Sequence, residues 1–495
     1  MTDATLIYDA EGSDLISYSN VDLTLDWPDR DGPAQIDATV EPAGTPVTLS
    51  ANVAAFGAFL NGEPQAVEAV LRAGGGQASL NGQAALDGAV SGKLALNLPS
   101  TDGFVRALGL PGAALPAGLG QSIDLGTELS LTTDRQLSLR GLVANLGAGN
   151  ALRGQADVSL NGTPSVNASL DAGALDLKGL TQSSDSGGSS SGGGASPSTG
   201  WSKAPIDASS LAGFNGRIAL RADAIDLGSL RLGATDTVLT NDNSRMVFTL
   251  NNVAAYEGSL AGEFVINNRN GLSVGGGLTG SELQMQGLLT DLMGVNRLTG
   301  AANARLSFLG AGPSIHAIMN SLRGDGNLRI GRGTIQGIDL DKLMGNGTVG
   351  GGTTIFNELS ASYTIQDGNL FNNDLLLSLA SYEATGEGRI GLGAQDIDYL
   401  FTPRALKLGD GKGIAIPVRI RGPWSKPRIL PDLSAAIDLN LDEEIKEIEE
   451  KAKQEVKKVE EKAKQEVKKA EDKAKKEIED KLKKEVGNSL KKLFD

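Results

Sequence analysis

The sequence predicts a mainly β protein, built from antiparallel hairpins, with a few short helices and a long charged helix at its C-terminal end. Three observations support this fold class. Aliphatic and polar residues alternate over many short runs, which is typical of strands with one buried face. Glycine accounts for 66 of the 495 residues, well above the usual share of about 7%. From about residue 441 the apolar pattern changes to a helical period.

The alternating runs predict the strands in their order along the chain. They lie at 21–27, 94–98, 129–131, 137–139, 156–160, 166–170, 218–220, 246–250 and 414–420. Two segments, 283–293 and 314–322, have apolar residues three or four apart and predict short helices. Tight turns are predicted where a glycine can supply the positive φ of a hairpin turn. These dipeptides are Asn61-Gly62, Asn81-Gly82, Asp87-Gly88, Asn161-Gly162, Asp325-Gly326, Asp367-Gly368 and Asp410-Gly411.

Composition divides the chain into four segments. Residues 181–200 are mainly Ser and Gly, which predicts a flexible linker between an N-terminal β region, 1–180, and a second β region, 201–433. Residues 434–495 contain an eleven-residue repeat, whose period aligns Ala, Val and Ile in one stripe. We expect a charged amphipathic helix that lies on or projects from the body, forms a coiled coil, or contacts a membrane surface.

Composition also excludes several kinds of chemistry. The chain has no Cys and one His, His316, so disulfides, thiol nucleophiles, Cys or His metal centres and a Ser-His-Asp triad lack their residues. His316 lies in the segment 314–322 and is explained by packing or a surface position. Residues 442–495 hold 17 Lys and 17 acidic residues, so the whole net charge of −15 falls on residues 1–441, which disfavours nucleic acid as a partner.

The remaining motifs are weak. Two G-x-G-x-x-G matches, at 345–350 and 386–391, lack the strand-then-helix setting of a dinucleotide site, and glycine-rich chains produce such matches by chance. Scattered Asp and Glu fit the solvated face of strands better than a hydrolytic carboxylate pair. We therefore expect no cofactor, no metal and no enzymatic activity. No run of 18 apolar residues occurs, so we expect no membrane-spanning helix in this chain.

Several separated motifs in the second β region resemble the C-terminal region of AsmA-family envelope proteins. In order, they are GWSKAPID (200–207), AYEGSLAGEF (255–264), SLRGDGNLRIGRGTIQGIDLDKL (321–343), FNELSASYTIQDGNLFNNDLLL (356–377), GLGAQDIDYLFTPR (391–404) and IPVRIRGPWSKPRILPDL (416–433). The resemblance covers about 201–433, and residues 1–180 resemble the preceding β region of the family more weakly. Since the motifs keep the family's order, we take the resemblance as specific.

This resemblance implies a Gram-negative envelope protein of outer-membrane biogenesis. It implies a periplasmic sheet curved into a groove or half-pipe that handles phospholipid, with an inner-membrane anchor in full-length members of the family. The leading hypothesis is a non-enzymatic protein that shields phospholipid acyl chains for transfer or homeostasis between the inner and outer membranes. The alternative is a scaffold or regulator of outer-membrane protein assembly without lipid cargo, which meets envelope proteins or a membrane surface through its C-terminal helix.

The alternating aliphatic residues are the candidates for such a groove. A face of Leu, Ile, Val and Ala gives acyl chains a smooth surface, and each buried methylene contributes about 0.8 kcal/mol. The candidate residues are Leu94, Leu96, Leu98, Leu129, Leu131, Leu137, Leu139, Val158, Leu160, Ile218, Leu220, Leu328, Ile330, Leu375, Leu377 and Leu379. The same alternation also fits the closed core of a β-sandwich, so the sequence leaves both arrangements open, as it does the oligomeric state.

Overall fold

The computed structural model describes residues 1–8, 16–112, 115, 118–181, 200–228, 230–337, 339–340, 342, 351–380, 382–405 and 417–432, with 456–457, 459, 461 and 468–469 in the C-terminal segment. Within these residues the prediction of a mainly β protein is confirmed. The predicted C-terminal helix and the turn at Asp410-Gly411 lie outside the described residues, apart from those few positions.

The strands are numbered in chain order. They are β1 (Ala4–Tyr8), β2 (Ile16–Asp26), β3 (Ala34–Val40), β4 (Val47–Val53), β5 (Gln65–Ala73), β6 (Gly76–Ala84), β7 (Val90–Leu98), β8 (Ile123–Leu131), β9 (Gln136–Asn145), β10 (Ala151–Ser159), β11 (Ser165–Asp176), β12 (Asn215–Asp226), β13 (Arg231–Leu232), β14 (Thr235–Asp242), β15 (Arg245–Ala255), β16 (Gly258–Asn267), β17 (Ser273–Gln284), β18 (Ala301–Ala311), β19 (Arg323–Ile330), β20 (Gly333–Gln336), β21 (Thr353–Phe356), β22 (Glu358–Gln366), β23 (Asn369–Ser378), β24 (Tyr382–Gly391), β25 (Asp396–Ala405), β26 (Val418–Pro423) and β27 (Arg428–Pro431).

Short helices lie between successive strands, at the strand ends. They are α1 (Phe56–Leu60), α2 (Thr101–Ala107), α3 (Lys178–Thr181), α4 (Met285–Met293) and α5 (Ile315–Asn320). The two predicted helices are confirmed as α4 and α5. The hydroxyl of Ser314 caps α5 by accepting from the Ala317 amide at 3.2 Å, and Gly294 ends α4 with a left-handed φ of 67°.

The strands form one large, mostly antiparallel sheet. Successive strands pair from β1 to β12, β12 pairs with β14, and pairing continues to β19, which pairs with β22, and on to β27. The short β13 pairs with the end of β12, while β20 and β21 form a separate hairpin. In the described residues β1 pairs only with β2 and β27 only with β26, so both ends of this 25-stranded sheet are open.

The two β regions on either side of the predicted linker belong to the same sheet. Among the described strands, β11 and β12 are the one parallel pair, in register from Ser165 with Asn215 to Asp176 with Asp226. Before it can form a parallel partner for β11, the chain must return to the rim of the sheet at which β11 begins. The segment that contains the Ser/Gly linker makes this connection. The Lys178 ammonium lies 3.3 Å from the Asp176 carboxylate and 3.2 Å from that of Asp226, at the end of the pair.

Two of the predicted turns are wrong, because their glycines lie inside strands. Asn81-Gly82 is in β6 and Asp325-Gly326 is in β19. A Cβ on Gly82 would lie 1.9 Å from the Ser91 carbonyl oxygen, and one on Gly326 would lie 2.5 Å from the hydroxyl oxygen of Tyr363. These glycines allow close approach within the sheet, which is a second reason for glycine in a strand.

The other predicted turns that the structure describes are turns. Asp87-Gly88, Asn161-Gly162 and Asp367-Gly368 connect successive strands, with φ of 90°, 66° and 70° at their glycines. Asn61-Gly62 follows α1, with φ of 87° at Gly62, so it ends a helix between β4 and β5 and does not form a two-residue hairpin. An Asn-Gly or Asp-Gly dipeptide therefore marks a turn in this chain where the alternation of apolar and polar residues also ends.

The three clusters of mutually packed buried residues in the described part of the chain lie along one rim of the sheet. One is centred on Ile330, Phe356 and Leu377 beneath α4 and the β20–β21 hairpin, one on Leu98 and Phe104 beside α2, and a smaller one lies at the ends of β11 and β12. We call the strand ends that carry α2, α4 and the β20–β21 hairpin the helix rim. At the opposite rim, residues 200–214 cross several strand ends; the Trp201 indole donates to the Leu392 carbonyl at 2.7 Å.

Candidate functional site: a continuous apolar face

One row of paired positions crosses the sheet from β3 to β26 and contains only apolar residues and glycine. We call this set of residues the apolar row. Its members are Ala34, Val53, Val67, Gly82, Gly92, Leu129, Leu139, Ala156, Ala168, Ile218, Leu239, Phe248, Phe264, Gly276, Phe308, Gly324, Ile365, Leu370, Ile390, Ile397 and Gly422. With strands about 4.8 Å apart, the row is about 95 Å long when measured along the sheet.

A second row on the same face lies nearer the helix rim and is almost as uniform. It runs from β2 to β22 through Leu23, Ala38, Leu49, Leu71, Ala78, Leu96, Leu125, Ala144, Leu152, Ala172, Ala222, Thr235, Val253, Leu260, Gly280, Ala304, Leu328 and Ala361. Its one polar member is Thr235, whose hydroxyl donates to the Gly233 carbonyl at 3.0 Å. The face is therefore apolar across its width as well as along its length.

Burial along the apolar row shows that no second layer covers its middle, from β8 to β18, in the described residues, whereas Val53, Val67 and Ile365 nearer its ends are buried. Large side chains such as Leu139, Phe264 and Phe308 are half-buried, whereas the small Ala156 and Ala168 are buried between taller neighbours. A facing sheet would bury the tall side chains first, because they project farthest towards it. The face is thus open, which decides against the closed β-sandwich for this part of the chain.

Buried threonines on the apolar face donate their hydroxyl protons to backbone carbonyls. The Thr127 hydroxyl donates to the Arg140 carbonyl at 3.0 Å, and the Thr237 hydroxyl donates to the Thr249 carbonyl at 3.0 Å. Both side chains are buried, and their hydroxyl protons are used within the sheet. Since both protons are used within the sheet, these two hydroxyls offer a ligand no hydrogen-bond donor on the face.

Aromatic rings flank a single glycine in the middle of the apolar row. The ring centroids of Phe248 and Phe264 are 6.3 Å apart, and those of Phe264 and Phe308 are 6.1 Å apart, although Gly276 separates the latter two in the row. A Cβ on Gly276 would lie 2.0 Å from the Glu263 carbonyl oxygen. The glycine position is therefore closed to any side chain, and the flanking rings lean together above it.

The opposite face of the sheet is mainly polar, with single exposed apolar side chains such as Leu309 and Phe371, and it carries cross-strand ion pairs. Examples are Arg140 with Asp157 at 2.7 Å and Arg221 with Asp236 at 3.3 Å. A shallow depression of about 790 Å³ on this face is lined partly by Asp398 and Arg419. The Arg419 guanidinium lies 2.9 Å from the Asp398 carboxylate, and its hydrogen bond lowers the pKa of Asp398. These charges compensate one another, so the depression is a weaker site candidate than the apolar row.

The structure divides the sixteen candidate residues into three groups. Half-buried on the apolar face are Leu94, Leu96, Leu129, Leu131, Leu137, Leu139, Val158, Ile218, Leu220, Leu328 and Leu375. Buried beneath the helix rim are Leu98, Ile330, Leu377 and Leu379. Leu160 follows the end of β10 and is 40% exposed. The first group lies together on one continuous surface, whereas the second packs against α2, α4 and the β20–β21 hairpin.

Sequence reasoning missed part of the same surface. Phe248 was predicted to lie in a strand but not on a ligand-facing surface, and Phe264, Phe308, Leu370 and Ile397 were not singled out. Phe264 and Phe308 fall in segments interrupted by Gly and Ser, which weakens their alternation. A search for apolar residues two apart that tolerated glycine on the apolar face would have found them.

A polar contact fixes α4 to the turn between β15 and β16. The Tyr256 hydroxyl donates to the Asp291 carboxylate at 3.0 Å. Burial of the phenol, together with this hydrogen bond and the negative charge of Asp291, raises the pKa of Tyr256 to about 12. The neutral phenol is therefore the form that the folded protein stabilises.

This shift predicts a dependence of stability on alkaline pH. Because the folded-state pKa lies above the value of about 10 for a free phenol, the contact contributes fully below pH 10 and is lost as the pH rises through about 12. We expect the difference in unfolding free energy between wild type and Tyr256→Phe, about 1 kcal/mol at pH 8, to shrink over this range. Urea unfolding at pH 8, 10, 11 and 12 measures it, and a constant difference would contradict the assignment.

The fold and the open face together define a class of protein: a long single-layer β-sheet with one continuous apolar surface. The AsmA family model matches residues 91–375, more than half of the chain, from β7 to β23. The chain therefore belongs to the AsmA family, which associates it with the bacterial cell envelope. Comparisons with curated proteins and with solved structures find no match. None of the described helices is long and apolar enough to cross a membrane.

Proposed function

We propose that this protein is a non-enzymatic component of outer-membrane biogenesis that shields phospholipid acyl chains during transfer or homeostasis between the inner and outer membranes. Its body lies in the periplasm, and its sheet curves along its length into a groove whose inner wall is the apolar face. The observation that carries the proposal is the apolar row, which continues from β3 to β26 without a polar side chain.

The energetics of an open aliphatic face suit acyl chains. Each methylene removed from water contributes about 0.8 kcal/mol, so a long acyl chain laid on the face gains on the order of 10 kcal/mol. Because one strand presents much the same apolar surface as the next, this free energy changes little as the chain moves along the row. The lipid headgroup can stay in water, and no reactive group is required.

Residues on the two faces of one strand provide the experiment. Ile218 lies in the apolar row, while its neighbour Arg217 is exposed on the polar face of β12. We would place a benzophenone amino acid at either position in the full chain, irradiate in cells, and identify crosslinked phospholipid by mass spectrometry. We expect lipid adducts at position 218 and none at 217. Equal labelling at both positions, or no lipid at either, would reject the proposal.

A further inference from the structure

The two ends of the sheet differ in charge. The sequence of the first 60 residues, which includes β1 to β4, contains ten Asp or Glu and a single basic residue, Arg30. Residues 417–432, which form β26 and β27, contain four basic residues and one acid, Asp432. A body with a net charge of −15 therefore keeps a basic surface at one end of the apolar row.

The basic end breaks a rule of strand pairing. Arg421 of β26 and Arg428 of β27 are direct register partners, and both are exposed. Like charges placed directly opposite each other destabilise a sheet. Arg421 is compensated by Asp398 at 2.8 Å, but among the described residues neither Arg428 nor Lys426 of the connecting turn forms an ion pair. The edge therefore keeps positive charge that the fold does not neutralise.

An apolar side chain accompanies these charges. Leu430 lies on the same side of β27 as Arg428 and is 51% exposed. A few basic groups around an exposed aliphatic side chain suit the surface of an anionic bilayer, since the cations meet lipid phosphates while the side chain enters the interface. The apolar row also ends at this edge, at Gly422 of β26, on the face of the sheet opposite Arg428 and Leu430, so a lipid that left the row would leave it at this edge.

We propose that the β26–β27 edge docks onto a bilayer surface that contains anionic phospholipid and thereby sets which end of the apolar row meets that membrane. The contacts come from Lys426, Arg428 and Leu430, and the acidic β1–β4 end is repelled by the same surface. The use of this contact in lipid delivery rests on the proposed function, but the docking itself does not require that lipid be carried.

Vesicle flotation with the full chain tests the docking. The probes are vesicles of phosphatidylcholine alone and vesicles with 20 mol% phosphatidylglycerol, at low and high salt. We expect capture by the anionic vesicles only, weakened by salt. The double variant Lys426→Glu and Arg428→Glu should bind about thirty-fold more weakly, since each basic group near an anionic surface contributes about five- to sixfold.

The matched control is Arg72→Glu with Arg217→Glu, which changes the net charge equally at exposed positions outside the edge. We expect it to bind like wild type. An equal loss of vesicle binding in both variants would overturn the proposal, as would equal capture by neutral vesicles. The absence of capture by anionic vesicles would also overturn it, and is the result expected of an edge that binds an acidic protein instead. Phospholipid that copurifies with each variant is measured in parallel: its absence from all of them would count against the proposed function, not against docking.

Discussion

Replacing Phe264 by Glu is expected to stop lipid transfer while leaving the sheet folded. The ring lies in the apolar row near its middle and is half-buried. An acyl chain crossing β16 would have to cover the new carboxylate or leave the surface, and covering an unpaired charge costs several kcal/mol. We expect transfer between donor and acceptor vesicles, followed with a fluorescent phospholipid, to fall at least tenfold.

Two variants on the same strand separate this effect from a loss of structure. Phe264→Leu keeps the surface apolar, and Glu263→Lys changes charge on the polar face beside it. Both should transfer lipid at close to the wild-type rate. Unfolding of Phe264→Glu in urea should show a loss of only about 1–2 kcal/mol, because the site is half-exposed and its ring contacts are few.

The position of the charge along the row gives a sharper test. If lipid moves along one continuous surface, Leu129→Glu in β8 and Ile390→Glu in β24 should block transfer as fully as Phe264→Glu. A local binding pocket predicts a different result, in which one substitution is severe and the distant ones are mild. Normal transfer with all three variants would remove the apolar row from the mechanism.

The sequence could predict the two faces of the sheet because a strand alternates its side chains, as Leu94 and Leu96 do in β7. It could not predict which residues become cross-strand partners. A bulge between Gly126 and Glu128 shifts the register of β8 against β9 and keeps Leu129 opposite Leu139. The apolar row exists only through such pairings, so no single strand reveals it.

The rim illustrates a second limit. Leu98 continues the alternation of Leu94 and Leu96 in β7, yet it is buried, as is Leu377 in β23. Their burial depends on α2 for the first, and on α4 and the β20–β21 hairpin for the second. These elements pack over the ends of strands that are distant in sequence, and periodicity within one strand carries no information about them. The open middle of the face and its closed rim therefore look alike in sequence.

The parallel junction between β11 and β12 is the place where the continuity of the face depends most on one side chain. Asn150 is fully buried, with 0% of its surface exposed. Its amide donates to the carbonyls of Gly118 and Asp176 at 3.0 and 3.1 Å, and its oxygen accepts from the Asp176 amide at 2.6 Å. Asp176 is the last residue of β11, so Asn150 fixes the end of the strand that joins the two β regions.

Asn150→Ala is therefore expected to lower the unfolding free energy by about 3 kcal/mol, because it leaves three backbone groups without their partner. Hydrogen exchange should accelerate first in the paired ends of β11 and β12, and lipid transfer should fall because Ala168 and Ile218 carry the apolar row across this junction. Asn167→Ala, exposed in the same strand, is the control and should change stability by less than about 0.5 kcal/mol. If Asn150→Ala matched that control in stability and exchange, another contact would have to hold the two regions in one sheet.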